Sequence, residues 1–422
     1  MNSETRTLGR RAQYSEVQNK IRRHRPDYWL LVIVSFLLAT GVIVVYAISP
    51  ALSATSGGSG SHYVSRQLIA IALSVVAFLI TANVPLSQWK KMQRPLLILA
   101  ALGTLVALLM PVIPQYPAHR WIRLGGLSLQ SVEALKFALL IWLAAMLAQR
   151  IKEGSIGNTN LTLKPLIIAL FVIGIVVAGV QSDLGSTGVI VAMMGAMSFI
   201  AGMPMKRVLM IAAIVVIGTV LAVSAIPYRR QRLLTYLHPA NNCLTTGYQA
   251  CQALIAVGSG GVIGLGLGRS VQAYGYLPEA QNDSIFAIFA EKFGFVGVCL
   301  LLGLFVTLFA RLRLIIERAP SNFSRLLVTG VLAWLSTQTL INVGAMVGLL
   351  PLKGITLPFI SYGGTSVLFV GAAIGLVFQI SHYTSFNSRS VQRTSDQRNP
   401  YEDSNDGRRI RRAYHPDSSS RS

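Results

Sequence analysis

The stretch Tyr276-Leu-Pro-Glu-Ala-Gln-Asn-Asp283-Ser-Ile-Phe286 runs directly into an apolar segment that continues to about residue 310. An apolar run of about 20 residues is long enough to cross a bilayer as a helix. The loop ahead of it brings two carboxylates, Glu279 and Asp283, to the edge of that span. Charge is costly there, so an ionisable group at such a position is a functional candidate by default. Asp283 also has a plainer reading. Acids are favoured at helix starts by the dipole and the unpaired N–H groups of the first turn, so it can be a simple N-cap.

The rest of the chain has the same character. Hydrophobic residues make up 53% of the 422 residues and charged residues 12%, far from the balance of a soluble domain. Apolar runs recur over 28–49, 67–84, 95–113, 133–149, 165–181, 186–203, 207–226, 285–310, 326–349 and 363–381. They predict an all-α, polytopic membrane protein with about ten spans. The net charge of +22 does not point to nucleic acid, because the basic residues lack interleaved aromatics and sit in alternate short loops and at both ends. Lys90, Lys91 and Arg94, then Arg150, Lys152 and Lys164, then Lys206 and Arg207, then Arg311, Arg313, Arg318 and Arg325 mark these loops and both termini as cytoplasmic. The chain divides into a basic N-terminal segment (1–27), a membrane domain (28–384) and a polar tail (385–422) that reads as disordered. Met1 to Pro26 is polar and basic, so no cleavable signal peptide is expected.

The outer face is different. Ser56-Gly-Gly-Ser-Gly-Ser61 is a flexible connector. The longest loop, about 227–284 between the seventh and eighth spans, carries Arg229, Arg230 and Arg232, then Gly247-Tyr248-Gln249 and a glycine run from Gly258 to Gly268. A loop of that length in a compact protein is usually functional. Its apolar part, 250–268, reads as re-entrant or interfacial. The glycine run is a weak phosphate signal and equally suits close backbone packing. Cys243 and Cys251 share this loop, where a disulfide and two free thiols are both open.

Five acids fall on the outer side in this topology: Glu133, Asp183, Glu279, Asp283 and Glu291. Arg120, Arg123, Lys136 and the 229–232 arginines join them against the positive-inside trend. Glu133 and Lys136 are one helical turn apart and suit a local ion pair. Asp183 reads as a turn residue or a cap, and Trp121 as an interfacial belt aromatic. A pocket of carboxylates and arginines suits a lipid-linked diphosphate. Arginine binds phosphate oxygens in bidentate fashion, and a carboxylate of raised pKa can take a proton from a sugar hydroxyl. The same charges would also serve a transporter.

Several motifs together resemble the SEDS family (shape, elongation, division and sporulation proteins) over about residues 25–384. They are His24-Arg-Pro-Asp27; Arg120-Trp121-Ile122 followed by Gln130, Glu133 and Lys136; Gln181-Ser-Asp183-Leu-Gly185; Tyr248-Gln249 through Gly261; Tyr276-Leu-Pro-Glu279-Ala280; Gly348-Leu-Leu-Pro351; and Leu357-Pro-Phe-Ile-Ser361-Tyr-Gly-Gly364. The wording of the last motifs is nearest to division-type members. Departures are Gln130-Ser-Val-Glu133 and Gln181-Ser-Asp183, each lacking the family's proline, Asn282-Asp283-Ser284 for T-D-F, and Glu291-Lys292 for a pair of acids.

The resemblance implies a peptidoglycan glycosyltransferase that polymerises lipid II at the outer face of the cytoplasmic membrane, at the division septum. It casts Asp283 as the catalytic base. It places Glu133, Lys136 and Asp183 along the same cavity, and with them Arg120, Trp121, Arg229, Arg230, Glu279 and Ser361 are the candidates for binding substrate and diphosphate, Glu133 and Asp183 being expected to hold Lys136. It implies as partners lipid II and the undecaprenyl-diphosphate-linked glycan, a class B penicillin-binding protein (a transpeptidase) and other divisome proteins, with no nucleic acid. A divalent cation, Mg2+ or Mn2+, is the cofactor it suggests, although no Cys/His cluster or protein cage for a metal is visible. An elongation-type polymerase, a lipid II flippase and a divisome scaffold are the rival readings.

Overall fold

The computed structural model describes residues 22–23, 25–56, 61–111, 119–124, 127–225, 236, 243–245 and 247–384. The expectations for residues 1–21, for the tail beyond 384 and for Arg229, Arg230 and Arg232 lie outside these described residues. The elements are β1 (Arg22–Arg23), α1 (Tyr28–Ser56), α2 (His62–Asn83), α3 (Leu86–Lys91), α4 (Gln93–Leu109), β2 (Trp121–Leu124), β3 (Leu127–Gln130) and α5 (Ser131–Lys152). They continue with α6 (Thr159–Val180), wound as π-helix at both ends, α7 (Leu184–Ile200), α8 (Met205–Ala225), α9 (Tyr248–Ser259), α10 (Ile285–Arg318), α11 (Asn322–Met346), α12 (Gly364–Ser381) and β4 (Tyr383–Thr384).

Among the described residues, seven of these helices are long and apolar enough to cross a bilayer: α1, α2, α5, α6, α10, α11 and α12. The chain is therefore a multi-pass membrane protein. α4 and α7 are shorter apolar helices. Hydropathy follows lipid contact. The outward-facing α1, α6 and α10 have mean hydropathies of 2.7, 2.6 and 2.5, whereas α5, α11 and α12, which form the interior, have 1.8, 1.5 and 1.7. Lipid is as apolar as leucine, so only interior helices can carry polar side chains, provided those side chains are paired. The β1–β4 pair (Arg23 opposite Tyr383) and the hydrogen bond from Asp27 N–H to Ser381 Oγ (3.1 Å) hold the start of α1 against the end of α12.

Two features depart from the all-α expectation and shape the outer face. The first is a hairpin, β2 against β3 with Trp121 opposite Gln130 and Leu124 opposite Leu127. Thr365, at the start of α12, pins it by accepting from Gln130 N–H (3.2 Å) and donating to Ser128 O (3.1 Å). The sequence carries a hairpin signal here, Gly125-Gly126 between two short apolar runs. The second is a break in α10 at Gly294, which has φ 64° and ψ −166°. The glycine run crosses α10 at this break and takes up its freed backbone groups. Leu265 and Gly266 N–H donate to the carbonyls of Glu291 and Lys292 (2.9 and 3.0 Å), while Phe295 and Val296 N–H donate to Gly261 and Val262 (2.9 and 3.0 Å). This is how irregular backbone is tolerated at membrane depth. Of the two readings of the glycine run, close packing of backbone is the one observed. Glu291 serves the same junction, accepting from Ser270 Oγ and from the N–H groups of Val271 and Gln272.

Ile285 to Lys292 are buried in protein, and the piece after the break, roughly 36 Å long at 1.5 Å per residue, makes the crossing. A Cβ at Gly294 would press on the backbone of Val262, Ile263 and Gly264, whereas one at Gly303 would meet nothing. Gly294→Ala is expected to cost about 2–4 kcal/mol through positive φ and overpacking, and Gly303→Ala less than about 1 kcal/mol. Thermal melts of the two purified variants check the difference.

Candidate active site

Asp283 ends the loop that enters α10, but it is not the helix cap. The N-cap is Ser284, whose hydroxyl donates to Pro278 O (2.9 Å) and accepts from Gln249 Nε2 (3.1 Å). The Asp283 residue is partly exposed, yet its Oδ1 is shut off from solvent with no hydrogen-bond partner. Burial, followed by the nearby charge of Glu279, raises its pKa from 3.8 to about 7, and hydrogen bonds from Gln249 and the Ser284 backbone offset only part of the rise. Among the described residues Asp283 makes no ion pair.

Arg120 is the residue immediately ahead of β2. Its Nε donates to Gln181 O (2.9 Å) and its Nη2 to Ser182 O (2.7 Å), which leaves Nη1 without a hydrogen-bond partner among the described residues. Arg120 and Asp283 approach each other at Gly354. A Cβ on Gly354 would lie 3.6 Å from Asp283 Oδ2 and 3.7 Å from Arg120 Nη1. A carboxylate and a guanidinium thus face one side-chain-free notch on an exposed loop.

That loop is fixed by two amides the sequence reading passed over. Asn342 Nδ2 donates to Asp283 O and to Ile355 O, both at 2.7 Å. One helical turn earlier on α11, Gln338 Nε2 donates to Thr356 O (2.9 Å) and Thr356 Oγ1 (3.2 Å). The signal was present, since two amides at i and i+4 in an otherwise apolar span share a face. Lys353, beside the notch, was also missed, although it is an outer-side cation of the kind that singled out Arg120.

Beneath the notch lies the expected ion pair. Lys136 Nζ is 2.6 Å from Glu133 Oε1, with both side chains buried on α5. Lys136 also donates to Gln338 Oε1 (3.1 Å) and stands over the Trp334 ring (5.0 Å to the centroid), while Trp334 Nε1 donates to the same Gln338 oxygen (2.8 Å). Lys136 is therefore held inside the bundle, acting on the notch through Gln338 and Thr356.

Four other candidates have local surroundings. Asp183 does not hold Lys136; it caps α7, accepting from Ser186 N–H and Ser186 Oγ (both 2.9 Å). Ser361 Oγ accepts from Leu357 N–H (2.7 Å), closing its own turn. Trp121 lies half-buried in the hairpin. Glu279 sits at φ 53° and accepts from Asn282 Nδ2 (2.5 Å). Among the described residues Ser182, Glu279 and Phe359 are the positive-φ non-glycine residues. Strained backbone of this kind persists where the surroundings over-determine it, often at functional sites. Cys243 and Cys251 form a disulfide (Cα–Cα 5.6 Å) that anchors the start of α9, beside Gln249.

Among the described residues no three His, Cys, Asp or Glu side chains stand together as a metal site. Glu279 and Asp283 offer two carboxylates at most. That fits Mg2+ or Mn2+ only in the manner in which such ions share one or two carboxylates with substrate phosphates.

The fold and this site define a polytopic membrane bundle with a charged notch, and comparison with known proteins sets its family. A family model described as "Cell cycle protein", covering FtsW, RodA and SpoVE, matches residues 28–386, and the chain belongs to that family. It is 39% identical over 365 residues to a protein of Saccharophagus degradans named probable peptidoglycan glycosyltransferase FtsW, covering 85% of this chain and 92% of the relative. Stage V sporulation protein E of Bacillus subtilis is 34% identical over 367 residues, covering 86% and 99%. Among solved structures, a chain of a peptidoglycan synthase complex, described for its coordination of polymerization and crosslinking, superposes with TM-score 0.68 at 26% identity, covering 84% of this chain and 97% of that one. Rod shape determining protein RodA of Thermus thermophilus gives 0.61 at 25% identity, covering 84% and 96%.

Breaking a buried ion pair from one side strands a charge, at about 3–5 kcal/mol. Lys136→Met and Glu133→Gln should each lower the melting temperature markedly. The Glu133→Gln/Lys136→Met double variant should recover part of the loss, and a double-mutant cycle on the melts measures the coupling.

Proposed function

We propose that the protein is a peptidoglycan glycosyltransferase that polymerises lipid II at the outer face of the cytoplasmic membrane, in septal wall synthesis. The observation that carries this is the notch, where a carboxyl of raised pKa and a guanidinium with a spare donor face the same gap. Asp283 accepts the proton of the sugar 4-hydroxyl as its oxygen forms the bond to the anomeric carbon of the growing chain. The bond from that carbon to the diphosphate breaks, and Arg120 meets the departing charge, aided by Lys353 at the rim. Charge-assisted bonds to phosphate oxygens are the strong ones. Glu279 and Asp283 are the residues that would hold a divalent cation, which would supply further neutralisation of that diphosphate.

For topology, the proposal takes α1, α2, α4, α5, α6, α7, α8, α10, α11 and α12 as ten spans with both ends in the cytoplasm. The alternating basic loops support it. For partners, it takes a class B penicillin-binding protein and other divisome proteins. The related synthase complex and the FtsW naming of the relatives support this part.

Purified with its transpeptidase, Asp283→Asn should lose lipid II polymerisation by roughly 10²–10⁴-fold, the usual range for a general base. Undiminished product would dismiss the assignment. Because Asp283 must be ionised to act, the rate of the parent protein should climb with pH through about 7 and level off above it.

Stability follows from the same shift. The unfolded carboxyl ionises near 3.8 and the folded one near 7, so the cost of the buried charge is absent below about pH 4 and complete above about pH 7. Asp283→Asn should therefore be more stable than the parent at pH 8, by at most about 4 kcal/mol, and no more stable at pH 4. Melts at the two pH values decide.

A further inference from the structure

Resting on that reading, we infer that Gly354 sets the size of the reaction site: its missing side chain is the space in which the attacking hydroxyl and the departing diphosphate meet. The backbone does not demand glycine here. Ile355 N–H donates to Lys353 O across a three-residue turn, and Gly354 lies outside the left-handed region, so any residue could take this conformation. Nor does packing demand it. The nearest atoms to a Cβ at 354 are Asp283 Oδ2 and Arg120 Nη1 at 3.6 and 3.7 Å, ordinary van der Waals distances. Gly294 is the contrast, with positive φ and backbone pressed against it.

What glycine supplies at 354 is an opening, and the opening is rigid. The carbonyls of the two residues after it are held by Asn342 and Gln338, and Ile355 is itself buried. Asp283 is tied to the same Asn342 through its backbone carbonyl, and Arg120 is braced on the carbonyls of Gln181 and Ser182. The loop cannot step back to make room for a side chain without breaking one of these bonds. A side chain at 354 would therefore stand between base and guanidinium.

The test is a volume series, Gly354→Ala, Gly354→Ser and Gly354→Val, in the full-length protein purified with its transpeptidase and assayed with lipid II. Melting temperatures of the alanine and serine variants should match the parent, because a Cβ here strains no contact. Polymerisation should fall with side-chain volume, about 10-fold for alanine and serine alike and about 100-fold for valine, the scale set by displacing reacting groups by an ångström. A valine variant as active as the parent, or a loss that tracks falling melting temperature and not volume, overturns the inference. Asp283→Asn, run in parallel, separates the two levels. If it is inactive while Gly354→Val is active, only the role of Gly354 falls; if both retain full activity, the polymerase reading falls with it.

Discussion

The Asn342 amide gives both of its hydrogens to backbone carbonyls from two distant parts of the chain, Asp283 and Ile355. The loop of Asp283 and the loop of Gly354 are both registered against this clamp. An acid in a loop has no fixed direction unless its backbone is held, and here a rigid, mostly buried helix holds it. Gln338, one turn along α11, extends the clamp to Thr356 and joins it to the buried Glu133–Lys136 pair. The pair's desolvation is costly. Its return is a firm seat for the Gln338 amide, and hence for the loop that borders the notch.

The broken α10 complements the clamp. Its first part is buried in protein and ends at Gly294; its second part faces lipid, with Phe295 and Leu300 exposed. The glycine run caps both broken ends with backbone bonds, so the outer loop and the span share one junction. A helix start thereby faces the site without having to be the same rigid rod that crosses the membrane. Discontinuous helices at the binding sites of transporters solve the same problem.

The helical apolar runs and the ion pair on α5 were legible in the sequence, because each is a charge or a period that lipid penalises or enforces. What was not legible was partnership. Asp183 and Ser361 sit within motifs, yet their oxygens are used by Ser186 and Leu357 close by in the chain. Gln338 and Asn342 carry no charge and drew no notice, although amides in a span must find partners. The hairpin was overlooked because a four-residue strand is a weak periodic signal beside long apolar runs, despite Gly125-Gly126. The break at Gly294 could not be inferred from one glycine, since its meaning lies in the backbone that crosses it.

The pairing of β1 with β4 has a bearing on parity. The first and last helices begin and end beside each other, joined by Asp27 and Ser381. A polypeptide that leaves a bilayer on the side where it entered has traversed it an even number of times. Beyond the seven full-length apolar helices among the described residues, the proposed ten-span topology thus asks for an odd number of crossings from the less conspicuous α4, α7 and α8.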